Sequence, residues 1–134
     1  MKVLMPQKTR SPARWERMRA RLLEIDDVVE IQGHRGEVLV YAGHQPPGLF
    51  LVTAARIEVA PPGEKTPRPF ADTSRGPFLL PALPDLDRPA PATITLGSDA
   101  ELIFIPRSLA AGQPRLRKLL GSPDVPVRGW DQLA

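Results

Sequence analysis

Few residues in this chain have the side chains and the spacing that chemistry requires. There is no cysteine, so disulfides, thiol nucleophiles and thiolate metal ligands are excluded. The two histidines are His34 and His44, and Glu37 is the carboxylate that lies close to the first of them. A transition-metal site needs three or four ligands of this kind at fixed spacing. We therefore interpret both histidines as exposed turn residues and predict neither a metal nor a cofactor.

Acid/base and nucleophilic catalysis are not indicated either. The adjacent carboxylates Asp26 and Asp27 follow a predicted helix, and we interpret them as loop residues rather than an acid/base couple. No serine lies in a Gly-x-Ser-x-Gly motif, and the chain has neither a Walker motif nor Gly-x-Gly-x-x-Gly. The sequence therefore predicts that this protein is not an enzyme.

Composition favours one globular domain built mainly from β-strands. The 134 residues are 42% hydrophobic and 25% charged, and they include 17 prolines and 10 glycines. So many turn-forming residues disfavour long helices. No apolar run reaches the roughly 20 residues that a membrane-spanning helix needs, so we expect a cytoplasmic protein without a membrane span.

The positive charge of the chain is concentrated near its N-terminus. The net charge is +3, yet residues 1–25 contain seven basic and two acidic residues. We predict a lead-in over residues 1–11 and then a helix, with Ser11 as its N-cap and Pro12 at its first position. Apolar residues at helical spacing form one stripe on this helix: Trp15, Met18, Leu22 and Leu23.

A basic face lies beside that stripe and has two interpretations. It consists of Arg14, Arg17 and Arg21. It could bind an acidic partner or nucleic acid, or it could be an ordinary solvated helix face. No aromatic residue is interleaved with these arginines, so base stacking with single-stranded nucleic acid is not indicated.

Short apolar runs separated by glycine and proline predict the strands. The predicted strands cover residues 28–31, 38–41, 49–52, 57–59, 92–96 and 100–105. Helices are predicted from Pro106 and over residues 114–120. The intervening residues 60–75 are rich in proline and charge, and we interpret them as an exposed loop.

The order of these motifs resembles the cyclic-nucleotide-binding-domain family, in particular its catabolite-activator-like sensor domains. The resemblance covers about residues 14–120. It is carried by Gly36-Glu37-Val38-Leu39, Gly43, Pro46, residues 48–52, residues 57–59 and residues 99–107. Ala54-Ala55 stands where the family usually has a Gly. The resemblance implies a mainly β fold, a jelly-roll-like double-stranded β-barrel of about eight strands with short flanking helices, over residues 12–120.

The same resemblance places a phosphate-binding cassette at residues 76–94. In the family, a Gly-Glu pair opens a short helix, and an Arg follows about ten residues later. Here Leu80-Pro81 stands at the first position and Ala90 or Pro91 at the second. The carboxylate and guanidinium that would hold ribose and phosphate are therefore missing at those positions.

The candidate ligand residues that remain in the cassette are Gly76, Phe78, Arg88, Ala92 and Thr93. Arg88 could replace the missing Arg after a shift of about two residues, and Arg75 is a second candidate. Nine of the 17 prolines lie in residues 61–91, and each removes a backbone N–H that could hold an anion. We predict that cyclic AMP and cyclic GMP do not bind usefully.

Residues 121–134 are predicted to form a tail and not the dimerisation helix that is common in the family, because Pro123, Pro126 and Gly129 interrupt any helix. Val125 and Val127 alternate as in an extended strand. Trp130 is the expected anchor of the tail, either on the chain's own barrel or in a groove of a partner, and we favour the partner. The sequence leaves no helix-turn-helix, so DNA binding through such a domain is not expected.

These observations predict a nucleotide-independent interaction module that serves as a regulatory or structural subunit. Its partner would be a protein or a larger complex, contacted through Arg14, Arg17, Arg21 and Trp130. Two alternatives stay open. The first is a divergent sensor that binds a small ligand in a remodelled pocket. The second is a nucleic-acid-associated protein that acts through the basic N-terminal helix.

Overall fold

The computed structural model describes residues 12–121 and 125–133. These residues form three α-helices, two 3₁₀ helices and eight β-strands. The helices are α1 Pro12–Leu23, α2 Arg107–Gly112 and α3 Pro114–Leu120, and the 3₁₀ helices cover Leu83–Asp87 and Trp130–Gln132. The strands are β1 Val29–Gly33, β2 Val38–Val40, β3 Gly48–Ala54, β4 Arg56–Ala60, β5 Arg68–Asp72, β6 Phe78–Leu80, β7 Thr93–Leu96 and β8 Ala100–Pro106.

The strands form two antiparallel four-stranded sheets that pack face to face. The first sheet has the order β1-β8-β3-β6 and the second β2-β7-β4-β5. Consecutive strands therefore often lie in different sheets, which is the arrangement of a jelly roll. This confirms the predicted mainly β, jelly-roll-like fold with short flanking helices.

One hydrophobic core fills the space between the sheets. Its members alternate along their strands with residues on the outer faces, as the period of two requires. They include Phe50, Val52, Ile57, Ile94 and Leu102, each no more than 5% exposed. The close pairing of β3 with β8 depends on a residue without a side chain, because a Cβ at Gly48 would lie 2.2 Å from the carbonyl oxygen of Ile105.

A second core forms between the outer face of the first sheet and the helices. The sheet contributes Leu49, Leu51 and Ile103 to this core. The helices contribute Leu22 of α1 and Leu116 of α3. Met18 and Leu23 pack against the same cluster, which confirms part of the apolar stripe predicted on α1. Pro12 is the first residue of α1, as expected, whereas Ser11 and the side chain of Trp15 lie outside what the structure describes.

The sequence-based assignment of residues 60–75 to a loop is wrong in part. Strand β5 lies within it and pairs with β4, with Ile57 opposite Ala71 and Glu58 opposite Pro69. Proline usually excludes a central strand, but β5 is the last strand of its sheet, and an edge strand tolerates proline. The exposed side chains of this strand removed the apolar signal that identified its neighbours. No helix within the described residues is long and apolar enough to cross a membrane.

Candidate functional site

The connection between β6 and β7 is the part of the barrel that the family resemblance marks as the cassette. It begins with a cis peptide bond between Leu80 and Pro81 and continues into the first 3₁₀ helix. Asp85 stabilises the start of this helix, because its Oδ2 accepts a hydrogen bond from the backbone N–H of Ala82 at 3.2 Å. Only 3% of Asp85 is exposed, and it is the sole buried charged residue among those described.

The C-terminal segment, residues 125–133, lies against this connection and against β6. The backbone N–H of Leu79 donates to Pro126 O, and the N–H of Arg128 donates to Leu79 O, both at 2.8 Å. Val127 thereby forms a parallel bridge with Leu79. Strand β6 is the outer strand of its sheet, so the segment covers backbone groups that an edge strand would otherwise present to solvent.

Trp130 anchors the C-terminal segment in the interior of the barrel. Its exposed fraction is 2%, and it belongs to the core between the two sheets. Its backbone N–H donates to Asp85 Oδ2 at 2.9 Å, and its indole Nε1–H donates to Arg88 O at 3.0 Å. The expectation that Trp130 occupies a partner's groove is therefore corrected, since the residue packs on the chain's own barrel and both of its N–H groups are satisfied there.

Asp85 is the residue on which these contacts converge. Besides the N–H groups of Ala82 and Trp130, it accepts a hydrogen bond from the Arg88 guanidinium at 2.9 Å. Arg88 also contacts Asp131 Oδ1 at 3.3 Å. The approach of the two segments is close, because a Cβ at Gly129 would lie only 3.0 Å from Asp85 Oδ2. Three polar partners compensate this buried carboxylate for its lost hydration.

The candidate ligand residues of the cassette lie in different environments. Gly76 lies before β6 with a φ of +117°, and Phe78 is buried in β6 beneath the Arg128 guanidinium, whose central carbon is 6.0 Å from the ring centroid. Ala92 is buried, while Thr93 Oγ1 accepts a hydrogen bond from the N–H of Ala42 at 3.0 Å. Arg88 is the charged member of the set, and it is engaged with Asp85 and Asp131.

The backbone donors of the cassette are largely engaged as well. The N–H of Asp85 donates to Ala82 O at 2.9 Å, and that of Arg88 donates to Asp85 O at 3.0 Å. The N–H of Ala90 donates to His44 O at 2.9 Å. An anion-binding loop presents several N–H groups to its ligand, and these three already have acceptors within the chain.

The basic residues of α1 lie on the helical side of the molecule. Arg17 and Arg21 are exposed, whereas the side chain of Arg14 is outside the described part of the chain. Arg19 forms an ion pair with Glu30 of β1, and Arg115 at the start of α3 contacts Glu24 at 3.1 Å. These surface ion pairs link α1 and the residue that follows it to β1 and α3.

The remaining titratable candidates stay apart from one another. His34 and His44 are exposed, and His34 Nδ1 lies 3.6 Å from Asp99 Oδ1. Over residues 12–121 and 125–133, no group of three or more metal-type ligands comes together. Asp72, in β5, has a pKa below its ordinary value because it accepts hydrogen bonds from the Ser74 hydroxyl and backbone N–H, with Arg56 and Arg75 contributing less.

Sequence reasoning missed Asp85, although a local signal was present. Pro84 and then Asp85 follow Ala82, and an acidic residue in the first turn of a helix is typical of a capping arrangement. That pattern could have indicated the short helix. It could not have indicated the contact with Trp130, which is 45 positions further along the chain.

Solved structures of cyclic-nucleotide-binding domains resemble this barrel. The catabolite activator protein of Thermus thermophilus has a TM-score of 0.54 and 18% identity, over 82% of this chain and 49% of that protein. The N-terminal domain of a transcriptional regulator from Streptomyces coelicolor has a TM-score of 0.54 and 21% identity, over 78% of this chain and 77% of that one. The cyclic-nucleotide-binding homology domain of a KCNH channel has a TM-score of 0.53 and 16% identity, over 84% and 86%.

No family model and no curated protein matches this sequence. The chain spans about half the length of the Thermus thermophilus protein, and the identities are low. TM-scores of 0.53 to 0.54 over 78–84% of this chain nevertheless show a common architecture. The chain has the fold of the cyclic-nucleotide-binding domains.

Proposed function

We propose that this protein is a regulatory or structural domain that works without a cyclic nucleotide and acts through contacts with another protein. Its C-terminal segment packs against the cassette through Trp130. The observation that carries the proposal is the position of Trp130, which is 2% exposed and donates hydrogen bonds to Asp85 and to Arg88 O.

The chemistry of the cassette supports the same proposal. A cyclic nucleotide requires a cation for its phosphate and a hydrogen-bonding group for its ribose. The arginine available here, Arg88, is already paired with two carboxylates of the chain, Asp85 and Asp131. Pro81, Pro84, Pro89 and Pro91 have no N–H to offer. Binding would have to break the contacts of Arg88 and move Trp130, and both changes oppose affinity.

Calorimetry tests the proposal directly. Cyclic AMP and cyclic GMP are titrated into the full chain, and we expect no heat of binding up to about 1 mM ligand, which corresponds to a binding free energy weaker than about −4 kcal/mol. The Trp130→Ala variant is titrated in parallel to report whether vacating this position opens a nucleotide site. Low-micromolar affinity of the unmodified protein for either nucleotide would overturn the proposal and favour a sensor.

A second candidate function, association with nucleic acid, is favoured by the charge of the helical side. Arg17 and Arg21 of α1 are exposed, and the adjacent α3 adds the exposed side chains of Arg117 and Lys118. Clustered cations attract phosphates independently of sequence. Such binding weakens steeply with added salt, because the entropy gained when counterions leave the DNA falls as the salt concentration rises. We therefore expect any DNA affinity to reside on this side of the molecule.

A short duplex DNA at low salt, assayed by fluorescence anisotropy, tests this candidate. If the helices bind DNA, changing both Arg17 and Arg21 to Glu abolishes the signal. The matched control changes Arg35 and Arg56, two exposed residues outside the helices, to Glu and leaves binding nearly unchanged. Absence of binding at low salt, or equal loss in both double variants, rejects the candidate.

A further inference from the structure

Exposed large apolar side chains collect at one edge of the barrel. Among the described residues there are four, and three of them, Val29, Ile31 and Tyr41, lie on β1 or directly after β2. Their exposed fractions are 46%, 37% and 60% respectively. Scattered surface apolar residues need no explanation, but a concentrated patch usually marks an interaction site.

Two of them, Ile31 and Tyr41, border an open cleft that leads into the interior of the barrel. The cleft has a volume of about 470 Å³, and its floor consists of the core residues Phe50, Leu96 and Leu102. Ile31 and Tyr41 form part of its walls, and Glu37 is a charged member of its lining. Its volume lies within the range of about 300–1,000 Å³ that is typical of binding pockets.

The register of β1 explains why the cleft is apolar. Val29 is opposite Phe104 of β8, and Ile31 is opposite Leu102. Directly opposed residues project to the same face of a sheet, and Leu102 belongs to the core between the sheets. Val29 and Ile31 therefore face the inside of the barrel and are exposed only because this edge is open.

The backbone of this edge is open as well. Strands β1 and β2 are the terminal strands of their sheets, so within the described residues no strand pairs with the outer side of either. At the opposite edge, β6 of the first sheet is covered, whereas β5 of the second sheet is a terminal strand like β2. There Val127 bridges to Leu79 of β6, and Trp130 of the same segment fills the interior. At that edge the barrel therefore already binds an extended segment that has one large apolar anchor.

We propose that the open edge binds an extended segment of a partner protein, which adds a strand to β1 and inserts an apolar side chain into the cleft. The N–H and C=O groups on the outer side of β1, which no strand within residues 12–121 and 125–133 pairs with, recognise the backbone of the segment. Phe50, Leu96 and Leu102 contact its anchor. Glu37, whose Oε1 also accepts a hydrogen bond from the backbone N–H of His34 at 2.7 Å, favours a lysine or arginine next to the anchor. This proposal rests on the proposed function, for which it specifies the kind of partner and the surface that receives it.

A photo-crosslinking residue at the rim identifies the segment. p-Benzoylphenylalanine replaces Tyr41 in the full chain, which is expressed in its own cells and irradiated, and the crosslinked peptide is sequenced by mass spectrometry. We expect a peptide with alternating apolar residues from one partner protein. A synthetic copy of that peptide is then the probe for binding to the purified, unmodified chain.

Two measurements with this synthetic peptide test the geometry. Hydrogen exchange should slow at the amides of residues 29–32 and not in the helices, because the added strand pairs with β1. Ile31→Lys should weaken binding by about tenfold or more, since it places a charge in the cleft. The matched control is Val127→Lys on the opposite edge, where the residue has the same 37% exposure and where the change should leave the affinity within about twofold.

The remaining outcomes overturn the proposal. They are crosslinks to a second copy of this chain, crosslinks only to a small molecule, no crosslinked peptide, unchanged affinity of Ile31→Lys, and protection confined to the helices. Calorimetry with cyclic nucleotides is independent of all of them. A nucleotide that binds would reject the proposed function while leaving the strand-addition result intact, and the reverse outcome would reject this edge alone.

Discussion

A single buried carboxylate joins two segments that are distant in the sequence. Asp85 accepts hydrogen bonds from Ala82, from the Trp130 backbone and from Arg88. Arg88 is about half exposed, so the ion pair itself contributes little. The important contacts are the two backbone donors, because a buried N–H without an acceptor is costly.

Asp85→Ala is therefore expected to destabilise the protein by about 1–3 kcal/mol, since it leaves the N–H groups of Ala82 and Trp130 without their acceptor. Asp85→Asn keeps an acceptor oxygen and should cost less. The measurement is the free energy of unfolding by urea at pH 7. Equal stability of the Ala variant and the unmodified protein would show that these hydrogen bonds do not hold the two segments together.

Trp130 contributes packing in addition to its hydrogen bonds. Trp130→Ala should cost about 3–5 kcal/mol, the usual range for truncating a buried aromatic residue. Trp130→Phe retains most of the volume but loses the donor to Arg88 O, so its cost should be intermediate. Asp131→Asn is the control, because Asp131 is 88% exposed and its ion pair with Arg88 is a surface contact. A Trp130→Ala variant as stable as this control would contradict the assigned role.

The elements differ in how clearly the sequence indicated them. Strands β3 and β8 were predicted because each contains a continuous apolar run, which is typical of a strand that is buried on both faces. Strand β5 was missed because three of its five residues are exposed and one of these is Pro69. The helices α2 and α3 were predicted from prolines at their starts, Pro106 and Pro114.

The closure of the cassette by the C-terminal segment could not be predicted in this way. Alternation of Val125 and Val127 indicated an extended segment, and the structure confirms a bridge at Val127. The choice of surface depended on contacts between residues that are more than 40 positions apart. A local pattern contains no information about such a contact, and the partner groove was therefore a wrong choice between two open possibilities.

Removal of the C-terminal segment tests whether the segment stabilises the barrel and covers β6. A chain that stops after residue 124 loses the strand-like cover of β6 and the anchor in the core. We expect a lower thermal midpoint than in Trp130→Ala, and concentration-dependent self-association through the uncovered β6 edge. Sedimentation velocity measures the association. A truncated chain with the sedimentation and midpoint of the full chain would show that the segment is dispensable.

At the scale of the whole molecule, the two edges of the jelly roll differ. At one edge the chain's own segment with Trp130 covers β6, and the other edge has an apolar cleft beside β1. The basic helices cover the outer face of the first sheet. This distribution separates the cassette, where the chain satisfies its own polar groups, from the surfaces that stay accessible to a partner.

We propose that Trp130, and not a nucleotide, occupies the space beside the cassette. The indole Nε1–H resonance of Trp130 reports on it directly, because this proton is hydrogen-bonded to Arg88 O at 3.0 Å in a buried site. A ¹⁵N-labelled Trp15→Phe chain isolates that resonance. We predict slow exchange with solvent and no change on addition of cyclic AMP or cyclic GMP at about 1 mM. A fast-exchanging indole proton, or a saturable shift with either nucleotide, would contradict the account.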